Sequence, residues 1–338
     1  MQRESPSGER YFHLRWKRAR RNKFPVSSYR LESGEKTDME FPLTSGNLQG
    51  GDHDSDCAMV YFDLETTGLG NSAEICQIGA YYAEKDFSRY VCPKRDFDSG
   101  AAETTGFYKK DGILYLRGER VQTVPIFEAW LHFLEFLESA SRSVVLVIHN
   151  RPFDSRFLLR DLLTFELIDN FRRLCIGMID TLPLCREIFP ERKQVGKRYK
   201  LQELVGDILG KEHASGSHNA VVDVRNLEKL LKQANVELEI LKKHYLPLSK
   251  LEYSYFKRKK ENFLKYKLPN LPRDITKKII VADEISYEDL VRAYAEGRET
   301  GVKLLLPDEK KIRKPRVSKK QSAVEDITDS LTGLKISS

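Results

Sequence analysis

The sequence predicts a mixed α/β domain, a sheet flanked by helices, followed by a smaller helical and basic C-terminal region. Three observations predict it. Short runs rich in Val, Ile and Tyr recur between residues 57 and 93 and again near 145. From residue 125 such runs alternate with segments whose apolar residues recur at helical spacing. Beyond 236 the strand-like runs stop and the chain turns aromatic and basic.

In order, residues 1–55 are rich in Ser, Gly, Arg and Glu, lack a periodic apolar pattern, and are expected to be mostly disordered. AMVYFDL (58–64) reads as a strand, EICQIGAYYA (74–83) as a second and SRYVCP (88–93) as a third. PIFEAWLHFLEFLES (125–139) reads as a helix with a proline near its start. SVVLVIH (143–149) is uniformly apolar, as a strand buried on both faces must be. A helix over 155–167 and a short strand over 176–182 follow, then helices over 200–210, ended by Gly210, and 218–235. Together these define a domain at about 56–235. Residues 236–308 form the helical basic region: LEYSYFKRKKENFLKYKL (251–268), a break at PNLPR, and ISYEDLVRAYAEG (285–297), where Ser286 and Asp289 fit a capping box. Residues 309–338 read as a disordered basic and polar tail.

Charge is unevenly placed. The formal net charge is +7, made of +2 over 1–55, −2 over 56–235 and +7 over 236–338. A basic tail is a candidate phosphate-binding or localisation element, against the plainer reading of a solvated helical surface. The stretch from Arg10 to Arg30, with KRARRNK inside it, is basic and free of acids. Three readings compete there: a nuclear localisation signal or nucleic-acid arm, a mitochondrial transit peptide, and a solvated tail. Cys57, Cys76, Cys92, Cys175 and Cys185 are scattered and lack CxxC spacing, which argues against a disulfide framework and points to a reducing compartment. There is no apolar signal core and no run long enough to cross a membrane, so neither secretion nor a membrane partner is expected. A nuclear or nucleocytoplasmic location is expected, and no sequence feature decides the oligomeric state.

The chemistry starts at FDLETTG (62–68). In a strand, residues two apart share a face, so Asp63 and Glu65 project into one space. Two carboxylates held that close need a compensating cation, unless one stays protonated. Oxygen ligands suit a hard divalent cation. Further along, VVLVI runs into His149-Asn150 and then Arg151-Pro152-Phe153-Asp154, which places Asp154 just past a strand end, where sites form in α/β sheets. Later, His218 and Asp223 flank the start of a helix behind a Gly/Ser loop. Singly, each residue has a bland reading. Asp63 and Glu65 could end an exposed strand, Asp154 could cap a helix, His218 could be a surface histidine, and Asp223 an ordinary helix acid. Their order and neighbours argue jointly for a site.

This set resembles the DEDDh family of 3′→5′ exonucleases, which share a ribonuclease-H-like fold. Asp63-x-Glu65 matches the first motif. His149, Asn150, Phe153, Asp154, Phe157 and Leu158 match HNxxFDxxFL, and His218, Ala220 and Asp223 match HxAxxD. Order and approximate spacing agree over about 180 residues, a little over half the chain. A tyrosine-type subclass carries Tyr four residues before the last Asp. Here that position is Asn219, with His218 beside it, so the histidine subclass is indicated. Arg151-Pro152 departs from the small residue many members carry, which puts the shape of the pocket edge in doubt. The helical stretch around Tyr287, Leu290, Tyr294 and Gly301 is similar to the tail of some animal relatives, including the exonuclease-like region of promyelocytic leukaemia protein.

The resemblance implies two Mg²⁺ (or Mn²⁺) ions held by Asp63, Glu65, Asp154 and Asp223, and His218 as general base. It implies a nucleic-acid substrate with a free 3′ end, held by the backbone near Glu65 and Thr66, wedged by Leu69, packed by Phe153 and contacted by His149. DNA and RNA remain alternatives, because discrimination turns on the 2′-OH and no residue can be assigned that contact. A rival reading is a weakly active or silent scaffold that keeps the fold. The rings and cations of 253–266 suit either a single-stranded nucleic acid or a helix docked on the main domain.

Overall fold

The computed structural model describes residues 57–214, 218–281, 285–306, 317 and 320–332. The N-terminal segment with its basic run, the 215–217 loop and all but Val317 and Lys320 of the 310–320 run lie outside the described residues.

β1 (Cys57–Thr66), β2 (Ile75–Tyr82) and β3 (Lys85–Tyr90) make an antiparallel meander. A short helix, α1 (Ser99–Thr105), leads into a small sheet of β4 (Phe107–Lys110), β5 (Ile113–Leu116) and β6 (Glu119–Arg120). α2 (Ile126–Glu138) returns to the main sheet and β7 (Ser143–Ile148). α3 (Arg151–Thr164) and α4 (Ile168–Leu174) precede β8 (Cys175–Asp180). α5 (Thr181–Ile188), α6 (Glu191–Gln194), α7 (Leu201–Ile208) and α8 (Lys211–Ala214) follow, then α9 (Ala220–Gln233), α10 (Leu238–His244) and β9 (Tyr245–Pro247). The main sheet runs β3-β2-β1-β7-β8-β9, with β1, β7 and β8 parallel and the outer pairings antiparallel.

β7 sits between two parallel partners, and its residues from Val144 to Ile148 are buried, which is why that run is apolar without alternation. β1 alternates between two cores. Tyr61 packs with Val147 and with Val224, Leu227 and Leu231 of α9. Phe62 faces the other way, its ring 5.0 Å from that of Phe133 in α2. Trp130 beside it is fully buried and donates its indole N–H to Asp161 at 3.2 Å. Each such aromatic burial stabilises the sheet–helix contact by about 1.5–3 kcal/mol. The sheet extends past the expected boundary at 235, because β9 pairs with β8 at the edge. The helix expected at 155–167 starts earlier, at Arg151, since Pro152 fits a first helical turn.

The C-terminal region is helical, as expected. α11 (Leu248–Lys267) docks through buried Leu248, Leu251 and Glu252. Arg172 of α4 grips that glutamate with two bonds, Nε to Oε1 at 3.0 Å and Nη2 to Oε2 at 3.1 Å. α12 (Arg273–Val281) and α13 (Tyr287–Leu305) build a core of their own with Leu264, Ile275, Ile279, Leu290 and Tyr294. Ser286 and Asp289 form the expected capping box on α13, which bends at Arg298 (φ 50°, ψ −133°). The tail expected to be disordered from 309 requires correction: Gln321–Thr332 is a helix, α14. Its Ala323, Val324, Ile327 and Leu331 share one face and are buried in the same core. No helix among the described residues is long and apolar enough to cross a membrane.

Candidate active site

The end of β1 determines the site. Asp63 lies opposite Gly79 of β2, and Glu65 lies opposite Gln77. Directly opposed residues share a face, so all four positions look toward α9. Gly79 makes room there. A Cβ at this position would stand 2.5 Å from the Ala220 Cβ and 2.6 Å from its carbonyl carbon, so the first turn of α9 can rest on the strand only over a glycine. Gln77, fully buried, supplies the bonds: its Oε1 accepts from Ala220 N–H at 3.1 Å, and its Nε2 donates to Asn219 Oδ1 at 3.2 Å. Asn219 caps the helix by accepting from Val221 N–H at 3.2 Å.

That anchoring sets Asp223 in the first turn of α9. His218 precedes it in a left-handed conformation (φ 64°), and its backbone N–H donates to Asp223 Oδ2 at 3.0 Å. Asp154 arrives from the first turn of α3, which Asn150 enters at φ 66°. Leu64 N–H, between the two acids of β1, donates to Asp154 Oδ1 at 3.2 Å. One ligand atom each from Glu65, His218 and Asp223 lies within 4.8 Å of the others.

The electrostatics follow from this crowding. Burial, then Asp154, Glu65 and Asp223, hold the Asp63 carboxyl well above the usual range. Burial, then Asp223 and Asp154, raise Glu65 in the same way. Asp154 is raised by burial, against the bond from Leu64. Asp223 is pushed up to about 7 by burial, opposed by the His218 N–H, by Gln202 and by Arg117. Four crowded acids, Glu65, Asp154 and Asp223 buried and Asp63 partly so, form a site that gains by taking a cation, and oxygen donors of this kind fit a hard divalent ion. His218 moves the other way: burial, with Arg117 and Lys200, lowers its imidazole, which is therefore neutral and able to accept a proton near pH 7.

The structure brings the five expected catalytic residues together. The four expected substrate residues are placed less uniformly. Leu69 is 79% exposed on the loop after β1. Phe153 packs edge-on against Phe157, with the Arg156 guanidinium 4.8 Å above its ring. Thr66 is buried and its hydroxyl donates to Gly68 O at 2.8 Å, closing the turn. His149 has both ring nitrogens engaged, Nδ1 with Thr181 Oγ1 at 3.0 Å and Nε2 with Tyr199 O at 2.8 Å. In this state its ring ties β7 to α5 and to the approach of α7, so a substrate contact requires giving up one of those bonds.

Sequence reasoning missed Gln77, Gly79 and Arg117. A lone glutamine inside the apolar run ICQIGAYY was the available signal for the first. Arg117 sits at the β5–β6 turn with φ 51°, its N–H donating to Gly106 O at 2.8 Å, and it opposes the rise of Glu65 and Asp223. Nothing in its sequence neighbourhood announces that position.

A protein-family model described as Exonuclease (RNase_T) matches residues 60–231. The chain belongs to this exonuclease family. It is a 3′→5′ exonuclease of DEDDh type on a ribonuclease-H-like fold, a hydrolase of phosphodiester bonds. Among curated proteins it is similar to the DNA polymerase III subunit epsilon of Rickettsia conorii, 31% identical over 188 residues, covering 53% of this chain and 72% of that protein. The same subunit of Buchnera aphidicola (Acyrthosiphon pisum) is 29% identical over 188 residues, covering 51% and 70%. The PolC-type DNA polymerase III of Clostridium perfringens is 30% identical over 192 residues, 55% of this chain and 12% of that protein. The matched span takes in all five catalytic-type residues and stops before α11.

Proposed function

We propose that this exonuclease trims free 3′ ends to nucleoside monophosphates with two divalent ions, Mg²⁺ or Mn²⁺, and with His218 as general base. Asp63, Glu65, Asp154 and Asp223 would hold the ions. When bound, such ions stabilise the attacking and leaving oxygens of the phosphodiester. His218 takes the proton from the attacking water, a task its lowered pKa suits near neutrality. Leu69, exposed on the loop after β1, would wedge against the terminal base, and Phe153 would offer that nucleotide a ring. The observation that carries this reading is the convergence of β1, α3 and α9 on one acidic, buried point, with a neutral histidine at its rim.

DNA is the polymer we place first, supported by the names of the relatives, which are DNA polymerase III proteins. Our nuclear or nucleocytoplasmic reading rests on the two basic runs and on cysteines read as reduced, and the bacterial origin of those relatives lends it no support.

The test offers 5′-labelled single-stranded DNA, duplex DNA and single-stranded RNA to the purified protein with Mg²⁺, Mn²⁺ or EDTA, beside Asp63→Ala. A metal-dependent ladder shortening from the 3′ end, absent in the variant, is expected. Intact substrates under every metal condition would overturn the reading and leave a silent scaffold in its place.

A further inference from the structure

α11 packs on α3 through part of its length and leaves a cavity of about 480 Å³ between them. Arg151, Arg156 and Arg160 of α3 line one wall, Arg258 and Lys259 of α11 the other, and Asn71 closes the end beside the exposed Leu69 loop. Among the described residues that line it, none is acidic. Arg156 donates from Nη2 to Leu69 O at 2.7 Å, while its Nε is buried with no hydrogen-bond partner among the described residues. Arg160 spends Nη1 on Ala73 O at 2.8 Å and Nε on Asp161 at 2.8 Å. Arg258 and Lys259 are exposed and make no ion pair among the described residues. Burial, and then Arg258, push the Arg156 guanidinium below its ordinary value, as expected of like charges facing one another across a gap.

We propose that this cavity is a second anion site that takes the phosphodiester backbone of the nucleic-acid strand next to the Leu69 loop. It deepens the proposed function and rests on a polynucleotide substrate. Charge complementarity is one argument: five cations with no lining acid fit a polyanion. Extent is another. Along α3 the three arginines span about 14 Å at 1.5 Å per residue, more than a single phosphate occupies. Continuity is the third, because Arg156 and Arg160 bond directly to the loop that carries Leu69.

The experiment is fluorescence anisotropy of a labelled oligothymidylate in EDTA, where binding is read without turnover, comparing wild type with Arg258→Glu/Lys259→Glu at several salt concentrations. Affinity is expected to fall at least about tenfold, and the slope of log K against log salt to become shallower by about 1.4, at ~0.7 per phosphate contact on a single strand. If the double reversal unfolds, Arg258→Gln/Lys259→Gln gives the same readout. Unchanged affinity and slope would overturn the proposal. So would a thermal shift with inorganic pyrophosphate that the variant loses while oligonucleotide binding persists, since that marks a small-anion pocket. Trimming is scored separately with Mg²⁺. If wild type binds the strand but never shortens it, the cleavage reading fails and the groove stands.

Discussion

The side-chain carbonyl of Gln77 accepts a hydrogen bond from the backbone N–H of Ala220 at 3.1 Å. Through that bond a strand residue opposite Glu65 fixes the first turn of the helix that carries Asp223. Gln77→Leu leaves a buried N–H unsatisfied, at about 1–3 kcal/mol of stability. It should also lower kcat at least about tenfold, the equivalent of ~1.4 kcal/mol in the activation barrier, with KM moving less. Urea unfolding and steady-state kinetics on one oligonucleotide read both. Lost stability with unchanged kcat would mean that Gln77 only fills space.

Gly79→Ala tests the same approach by steric means. The added methyl would overlap the Ala220 Cβ and backbone, and overpacking of this kind costs about 1–3 kcal/mol. Activity should fall with stability. Adding Ala220→Gly should restore only part of either, because the Ala220 carbonyl carbon still lies 2.6 Å from the new Cβ.

His218→Gln keeps a polar side chain and removes the base. The expected loss in kcat is about 10²–10⁴-fold with little change in KM. A rapid-quench single-turnover assay locates that loss in the chemical step. A loss confined to KM would remove His218 from the proton transfer.

The metal-free enzyme should be less stable at higher pH. Asp223 is raised to about 7 from an unfolded value near 4, so the folded state holds a proton that the unfolded state has released. Stability from this group is full below about pH 4 and is lost as pH rises through about 7. Asp63, Glu65 and Asp154 shift the same way. In EDTA, melting temperature should therefore drop between pH 5.5 and 8, by at least the ~2–4 °C that 1 kcal/mol moves a domain of this size. Mn²⁺ should restore it, and Asp223→Asn should flatten the slope. A flat profile in EDTA would contradict the buried-acid account.

Glu252→Gln weakens the pair that docks α11. The glutamate is buried but Arg172 is about a third exposed, so solvent screening limits the loss to about 1 kcal/mol. Limited trypsinolysis should then cut faster among Lys257, Arg258 and Lys259. Equal cleavage rates would show that Leu248 and Leu251 hold the helix unaided.

The candidate catalytic residues were readable because three short motifs, each carried by one segment, match those of a known family. Strand alternation places Asp63 and Glu65 on one face, and His218 and Asp223 straddle one helix start within six residues. Gln77 and Gly79 were hidden because their role depends on which strand lies opposite β1 and which helix crosses it. Arg117 was hidden for the same reason, reaching the acids from a separate small sheet. α14 was overlooked because its few apolar residues are diluted by Glu, Asp, Thr and Ser, a pattern that solvates well alone and buries one face only when α13 supplies a partner. His149 shows the limit of motif transfer, since a matched residue can spend both nitrogens on its own scaffold.

The position of α14 also bears on how the protein is made. Synthesis runs from the N-terminus, so the catalytic sheet, complete at β9, leaves the ribosome long before residues 321–332 exist. Until then α13 presents Leu290 and Tyr294 without the helix that packs on it. A message truncated there yields a finished nuclease domain trailing an open apolar face, the kind of surface that chaperones and quality-control proteases bind.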